Sequence, residues 1–175
     1  MWEPTKLLDI FDFEYISDLN FYGYCFNESL RMQPPVYFSS SVCMMEDVTL
    51  NGFKLQKGHA FSIDMYRLGN NPDEWKEPSR FYPERFDPEN DYFFTPKGKR
   101  RSPYSFSPFL GGQRVCIGKS LVEAISKLTL PTLWSNFNIK FEDKFDKDLA
   151  SFRMPANNLL CTREPYVSII IEKKE

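Results

Sequence analysis

The segment Phe109-Leu110-Gly111-Gly112-Gln113-Arg114-Val115-Cys116-Ile117-Gly118 places one cysteine, one arginine and three glycines just before a stretch with helical spacing. A cysteine at a helix start has its thiolate favoured by the positive end of the helix dipole, by free backbone N–H groups and here by nearby Arg114. The thiolate is the form that binds metal. Gly112 and Gly118 allow backbone to lie close against a flat ligand, and Phe109 is placed to cover the sulfur from water. A metal site built from this chain alone would be poor in ligands, because His59 is the only histidine. Any metal would therefore arrive inside a prosthetic group. Cys25, Cys43 and Cys161 lie far apart with no Cys-x-x-Cys pair, and nothing around them favours a thiolate, so they read as reduced, inert thiols. His59 follows Gly58 at a strand start and reads as a surface residue.

The elements that must position this loop follow from periodicity. From Phe13 to Met32 the apolar residues Phe13, Ile16, Leu19, Tyr22, Phe26 and Leu30 recur at three- and four-residue steps, predicting a helix over about 13–32 that Pro34-Pro35 terminates. Glu28 and Arg31 share a face of it; for the two residues alone the default is an exposed pair contributing under about 1 kcal/mol. Asn51-Gly52 stands between Val48-Thr49-Leu50 and Phe53-Lys54-Leu55, a hairpin signal because a tight turn needs φ > 0 at both central residues. Ala60–Met65 alternates in period two and should add a strand to the same small sheet. Residues 72–108 carry seven prolines without sustained periodicity and read as a long meandering loop, the kind that is functional when it occurs in a compact domain. After Gly118, Leu121, Ala124, Ile125, Leu128 and Thr132 have helical spacing, which Pro131 should kink or end early. Tyr166–Ile171 is β-branched and reads as a final strand.

Composition sets limits. Of 175 residues, 22 are Lys or Arg and 24 Asp or Glu, a formal charge of −2 that gives no electrostatic case for nucleic acid or for a polybasic membrane-surface binder. With 42% hydrophobic and 26% charged residues the chain is globular in class. No stretch approaches the roughly 18 apolar residues of a membrane span. The first residues lack a basic region followed by an apolar block, so no signal peptide is read.

The spacing Phe109-x-x-Gly112-x-Arg114-x-Cys116-x-Gly118 resembles, at every fixed position, the haem-binding motif of the cytochrome P450 haem-thiolate monooxygenases. Five specified positions would match by chance on the order of a few times in 100,000. Two further family marks stand upstream in the right order: Glu28-Ser29-Leu30-Arg31 matches the ExxR helix, and Phe81-Tyr82-Pro83-Glu84-Arg85-Phe86 matches the PERF segment. The resemblance runs from about Asp12 to the C-terminus and corresponds only to the C-terminal part of the family's catalytic domain. It implies an α+β fold, mostly α with small β-sheets, forming one partial domain over residues 1–175 that is the haem-proximal part of the P450 fold.

It also implies function. Cys116 would be the axial ligand of haem b (iron protoporphyrin IX), with Phe109, Gly112, Arg114 and Gly118 around it, and the expected reaction inserts one atom of O₂ into a lipophilic small molecule. Electrons would come from an NADPH-dependent flavin reductase, and the family location is the cytoplasmic face of the endoplasmic reticulum membrane, through an anchor lying before residue 1. The family's oxygen-activating helix would likewise precede residue 1. Glu28 and Arg31 would form a buried network with Arg85, fixing the loop behind the haem. Many members carry a propionate-binding arginine where this chain has Val36–Val42, leaving Arg114 as its one propionate ligand; Val36, Phe38 and Ser39 fall where the family lines its substrate pocket. The run Lys97-Gly98-Lys99-Arg100-Arg101 fits a solvated loop, a nuclear signal or a reductase docking site. Two other functions stay open: a haem-thiolate isomerase or dehydratase, and a non-catalytic fragment acting as a binding module.

Overall fold

The computed structural model describes residues 19–50, 52–141 and 169–174. Helix α1, Asn20–Met32, occupies the second part of the helix read at 13–32; residues 13–18 lie outside the described residues. It ends where the Gln33 N–H donates to the Ser29 carbonyl, and Pro34-Pro35, unable to continue a helix, follow directly. The side chains it buries are charged, Glu28 and Arg31.

Strands β1 (Val42–Cys43), β2 (Val48–Leu50), β3 (Phe53–Leu55) and β4 (Ala60–Phe61) make two separate two-stranded sheets rather than the single sheet expected. In the hairpin, Val48 pairs with Leu55 and Leu50 with Phe53, and Gly52 takes the left-handed φ of 85° that the tight turn requires. The hairpin is inserted between β1 and β4, whose register pairs Val42 with Phe61 and Cys43 with Ala60. The strand read over Ala60–Met65 stops at Phe61, because Asp64 caps a short helix, α2 (Met65–Gly69), accepting the Arg67 N–H at 2.8 Å. An aspartate that can bond its own helix start competes with the strand ladder.

Residues 72–108 contain neither α-helix nor named strand. They fold through 3₁₀ turns at Pro83–Phe86, Asp91–Phe93 and Pro103–Ser105, the first and last opening on proline, whose fixed φ suits a helical start. A bridge between Phe94 and Arg100 closes a small turn in which the Thr95 N–H donates to the Lys99 carbonyl.

Helix α3, Lys119–Asn136, runs through Pro131 instead of ending there. Proline forfeits the bond to the Lys127 carbonyl, but the helix lies open on much of its surface, where water can serve that carbonyl, and the Thr129 and Thr132 hydroxyls bond back to Ile125 and Leu128 around the gap. Strand β5 (Phe137–Phe141), not anticipated, follows at once and pairs antiparallel with β6 (Ile169–Lys173). Of the final strand read at 166–171, residues 166–168 lie outside the described residues. The described fold is α+β, and none of its helices is long and apolar enough to cross a membrane.

Candidate functional site

Behind the site lies a knot of charge. Glu28 accepts from Arg31 Nε at 2.7 Å and Nη2 at 2.8 Å, from Arg85 Nε at 2.9 Å and from the Tyr82 backbone N–H at 2.9 Å, with all three charged side chains fully buried. A carboxylate holding two guanidiniums out of water is not a surface pair: its lone pairs must be filled, and here they are. The donors that Glu28 leaves over go to main-chain carbonyls. Arg31 reaches those of Gly69 (2.7 Å) and Arg80 (3.4 Å), and Arg85 those of Lys76 (2.9 Å), Arg80 (3.1 Å) and Glu77 (3.4 Å). Burial lowers the Arg85 pKa, with the Glu28 charge opposing that shift.

Three features of this knot escaped the sequence reading. Trp75 is 1% exposed and packs tilted against Phe86 and edge-on against Phe106, with the Arg31 guanidinium 5.3 Å and the Arg101 guanidinium 4.3 Å from its ring centre. Gly69 is pressed against α1, where a Cβ would collide with the Arg31 carbonyl oxygen. Arg101, read as part of a basic run, turns inward while Lys97, Lys99 and Arg100 are exposed.

The loop carrying Cys116 leaves this base through Phe106, which packs on Phe86 and Trp75. Leu110 (φ 61°) and Gly112 (φ 63°) bend the backbone into left-handed conformations, and Gly112–Arg114 forms a 3₁₀ turn. The Cys116 N–H donates to the Phe109 carbonyl at 2.8 Å, and the Cys116 carbonyl accepts from Lys119 at 3.2 Å, so the cysteine is clasped from both sides beside the start of α3. Its sulfur lies 3.8 Å from where a Cβ on Gly118 would sit. Cys116 is exposed, as are its neighbours Val115 and Ile117 and, further along on α3, Leu121 and Ile125, and Arg114 has no ion-pair partner among the described residues.

Comparison with known proteins decides the family. The family model described as Cytochrome P450 matches residues 9–168. This chain belongs to the cytochrome P450 family. Among curated P450 proteins it is 33% identical to Cytochrome P450 4F6 of Rattus norvegicus over 81% of the chain and 36% identical to Cytochrome P450 4F12 of Homo sapiens over 72%. It is 32% identical to Leukotriene-B4 omega-hydroxylase 3 of Mus musculus over 81%. The chain spans about a quarter of the length of these relatives, the shares being 24%, 23% and 25%. A solved structure of retinoic acid bound cyanobacterial CYP120A1 superposes with a TM-score of 0.65 at 27% identity, covering 74% of this chain and 28% of that one.

The P450 family implies a haem, and the residues present fit one. A planar, apolar macrocycle bearing carboxylates and a metal needs a soft donor, a bare backbone beside it, apolar contacts and a cation; Cys116, Gly112 and Gly118, Val115 and Ile117, and Arg114 offer these on one exposed loop. No three His, Cys, Asp or Glu side chains gather to hold a bare metal ion among the described residues. Cys25 is half-buried with its pKa raised by burial and by Glu84 and Glu28, which keeps it a thiol; Cys43 is exposed, and Cys161 lies outside the described residues. Ser39 is buried, its hydroxyl accepting the Ile63 N–H at 2.8 Å, while Val36 is 40% exposed. His59 is exposed, accepting the Gln56 N–H through Nδ1.

Proposed function

We propose that this chain is the haem-proximal portion of a haem-thiolate monooxygenase that inserts one oxygen atom into a lipophilic small molecule. The observation that carries this reading is the exposed Cys116, its backbone held by two hydrogen bonds on the family's motif loop and that loop fastened to a base built around the fully buried Glu28. When bound, haem b supplies the activation of dioxygen. The chain supplies the rest of this face. Cys116 presents the thiolate that ligates the iron, Phe109 holds the cysteine backbone through its carbonyl, and Gly112 and Gly118 keep side chains away from the porphyrin plane. Arg114 pairs with a propionate, and Val115 and Ile117 exchange water for the apolar edge of the macrocycle. Glu28, Arg31 and Arg85 hold the loop behind the haem.

The similarity to a mouse protein named as a leukotriene-B4 omega-hydroxylase supports a lipid substrate oxidised near its chain end. For the whole protein the reading includes electrons from an NADPH-dependent flavin reductase and membrane attachment at the cytoplasmic face of the endoplasmic reticulum. The test is spectroscopic. Reduced, carbon-monoxide-treated protein should show the red-shifted Soret band of thiolate ligation, and Cys116→Ser should abolish it. A band unchanged in Cys116→Ser removes Cys116 as the ligand, and a wild-type chain that takes up no haem on titration favours a non-catalytic binding module.

A further inference from the structure

Arg101 is a costly cation. Its guanidinium is half-buried with no carboxylate ion-paired to it among the described residues, and burial, followed by the charge of Arg85, brings its pKa down to about 10. It remains protonated at neutral pH, so a third guanidinium stands beside Arg31 and Arg85 where, among the described residues, Glu28 is the one fully buried carboxylate. What holds it is main chain and aromatic faces. Nη1 donates to the Tyr92 carbonyl at 2.6 Å and Nη2 to the Arg85 carbonyl at 2.7 Å. The Trp75 ring centre is 4.3 Å and the Phe93 ring centre 5.2 Å from its central carbon. Two donors held rigidly apart in one plane are available to arginine, whereas lysine offers a single nitrogen on a flexible stem.

Its place in the chain gives this arrangement a purpose. The turn closed by Phe94 and Arg100 returns the chain to the charged base at residue 101, and from there it runs through the Pro103–Ser105 turn directly into Phe109–Gly118. Arg85, whose side chain bonds Glu28, offers its own carbonyl to Arg101, so one residue links the buried network to the departing strand of loop. The Ser102 N–H donates to Glu74 at 3.1 Å next door, and Phe106 fastens the same segment through apolar contact. Phe106 fixes how deep the segment sits; the two-pronged guanidinium fixes its direction.

We infer that Arg101 is a positioning residue for Cys116, setting the path of residues 102–118 from the Glu28–Arg85 network without itself touching the haem. The inference rests on the haem-thiolate reading, and its test separates the two. Arg101→Ala and Arg101→Lys are made in the full chain, and hydrogen exchange is followed by peptide alongside the reduced carbon-monoxide spectrum. In Arg101→Ala, amides of 102–118 should exchange about tenfold faster while those of α1 keep their protection, the pattern of a local opening. In the haem-loaded protein the thiolate band should lose intensity to the band of a neutral-thiol ligand, and Arg101→Lys should recover only part of both signals. Unchanged exchange over 102–118 overturns the inference, and so does full recovery by lysine. Equal loss of protection in α1 also overturns it, because Arg101 would then be one more support of the network and not the guide of the loop. A wild-type chain without any thiolate band sinks the ligand assignment alone, the exchange comparison still deciding on Arg101. Should Arg101→Ala fail to fold, Arg101→Lys and Arg101→Gln carry the same comparison.

Discussion

Glu77 shows how a single exposed side chain can report on the loop. Its carboxylate accepts from the Tyr92 hydroxyl at 2.5 Å and from Arg80 at 3.3 Å, and these two bonds, in that order, lower its pKa. A carboxyl whose folded pKa is depressed contributes stability that is fully present above its unfolded value and is lost as pH falls through the folded one. The acid side of the stability profile, below the ordinary glutamate range, is therefore where this contact matters. Tyr92→Phe should move the Glu77 titration midpoint up toward its ordinary value, followed by carbon-13 NMR of the side-chain carboxyl. A midpoint that stays put would assign the shift to Arg80 alone. Cys116 reads differently, because no acid or histidine side chain bonds to it among the described residues: its role rests on exposure and backbone support.

At the scale of elements, α1 and the proline-rich loop are joined by charge where most elements are joined by apolar packing. Removing one member of a buried ion network leaves the others uncompensated, which costs about 3–5 kcal/mol, well above the value of a surface bridge. Glu28→Ala should lower the midpoint of thermal unfolding sharply and abolish haem incorporation; a variant that loads haem and melts like the wild type would mean that solvent reaches the arginines. Much of this level was legible. The Asn51-Gly52 turn announces its hairpin because the two strands it joins are its own neighbours, and Phe109–Gly118 announces its loop because the chemistry is carried by adjacent residues. The pairing of β1 with β4 was not, since each is two residues long and the partner lies beyond an inserted hairpin. β5 had a period-two signal, Phe137-Asn138-Ile139-Lys140-Phe141, overshadowed by the helix that runs into it. The places of Trp75, Gly69 and Arg101 in the buried network were not legible for another reason: they act through ring faces and main-chain oxygens of residues distant in sequence.

The whole molecule has an unusual distribution of burial. Among the described residues the fully buried large side chains are Trp75, Arg31, Arg85 and Glu28, whereas Ile117 is 102% exposed and Leu121, Ile125 and Trp134 are 64%, 49% and 52% exposed. The described residues thus present the Cys116 loop and the face of α3 openly to solvent. Oxygen chemistry at a haem on such a surface would proceed in contact with water, which quenches reactive states before they reach an apolar substrate. We expect this chain, reconstituted with haem and a reductase, to consume electrons without forming an equivalent amount of product. Stoichiometric, Cys116-dependent hydroxylation of a lipophilic substrate would show that the chain shields its own site.

The chain from Gly69 to Phe93 is held by arginines largely through its backbone: the oxygens taken by Arg31, Arg85 and Arg101 belong to residues 69, 76, 77, 80, 85 and 92, and ring faces enter only at Trp75, Tyr92 and Phe93 among the described residues. A replacement at Lys76 or Arg80 that keeps the backbone path leaves the accepting oxygen where it was. Adding or deleting one residue between Gly69 and Arg80 shifts the carbonyls beyond the change by a full residue spacing of about 3.8 Å, more than the length of a hydrogen bond. Apart from Gly69 and Trp75, this stretch should therefore tolerate wide variation in spelling and almost none in length, so that a single-residue insertion after Asp73 abolishes haem uptake where alanine at Lys76 or Arg80 does not.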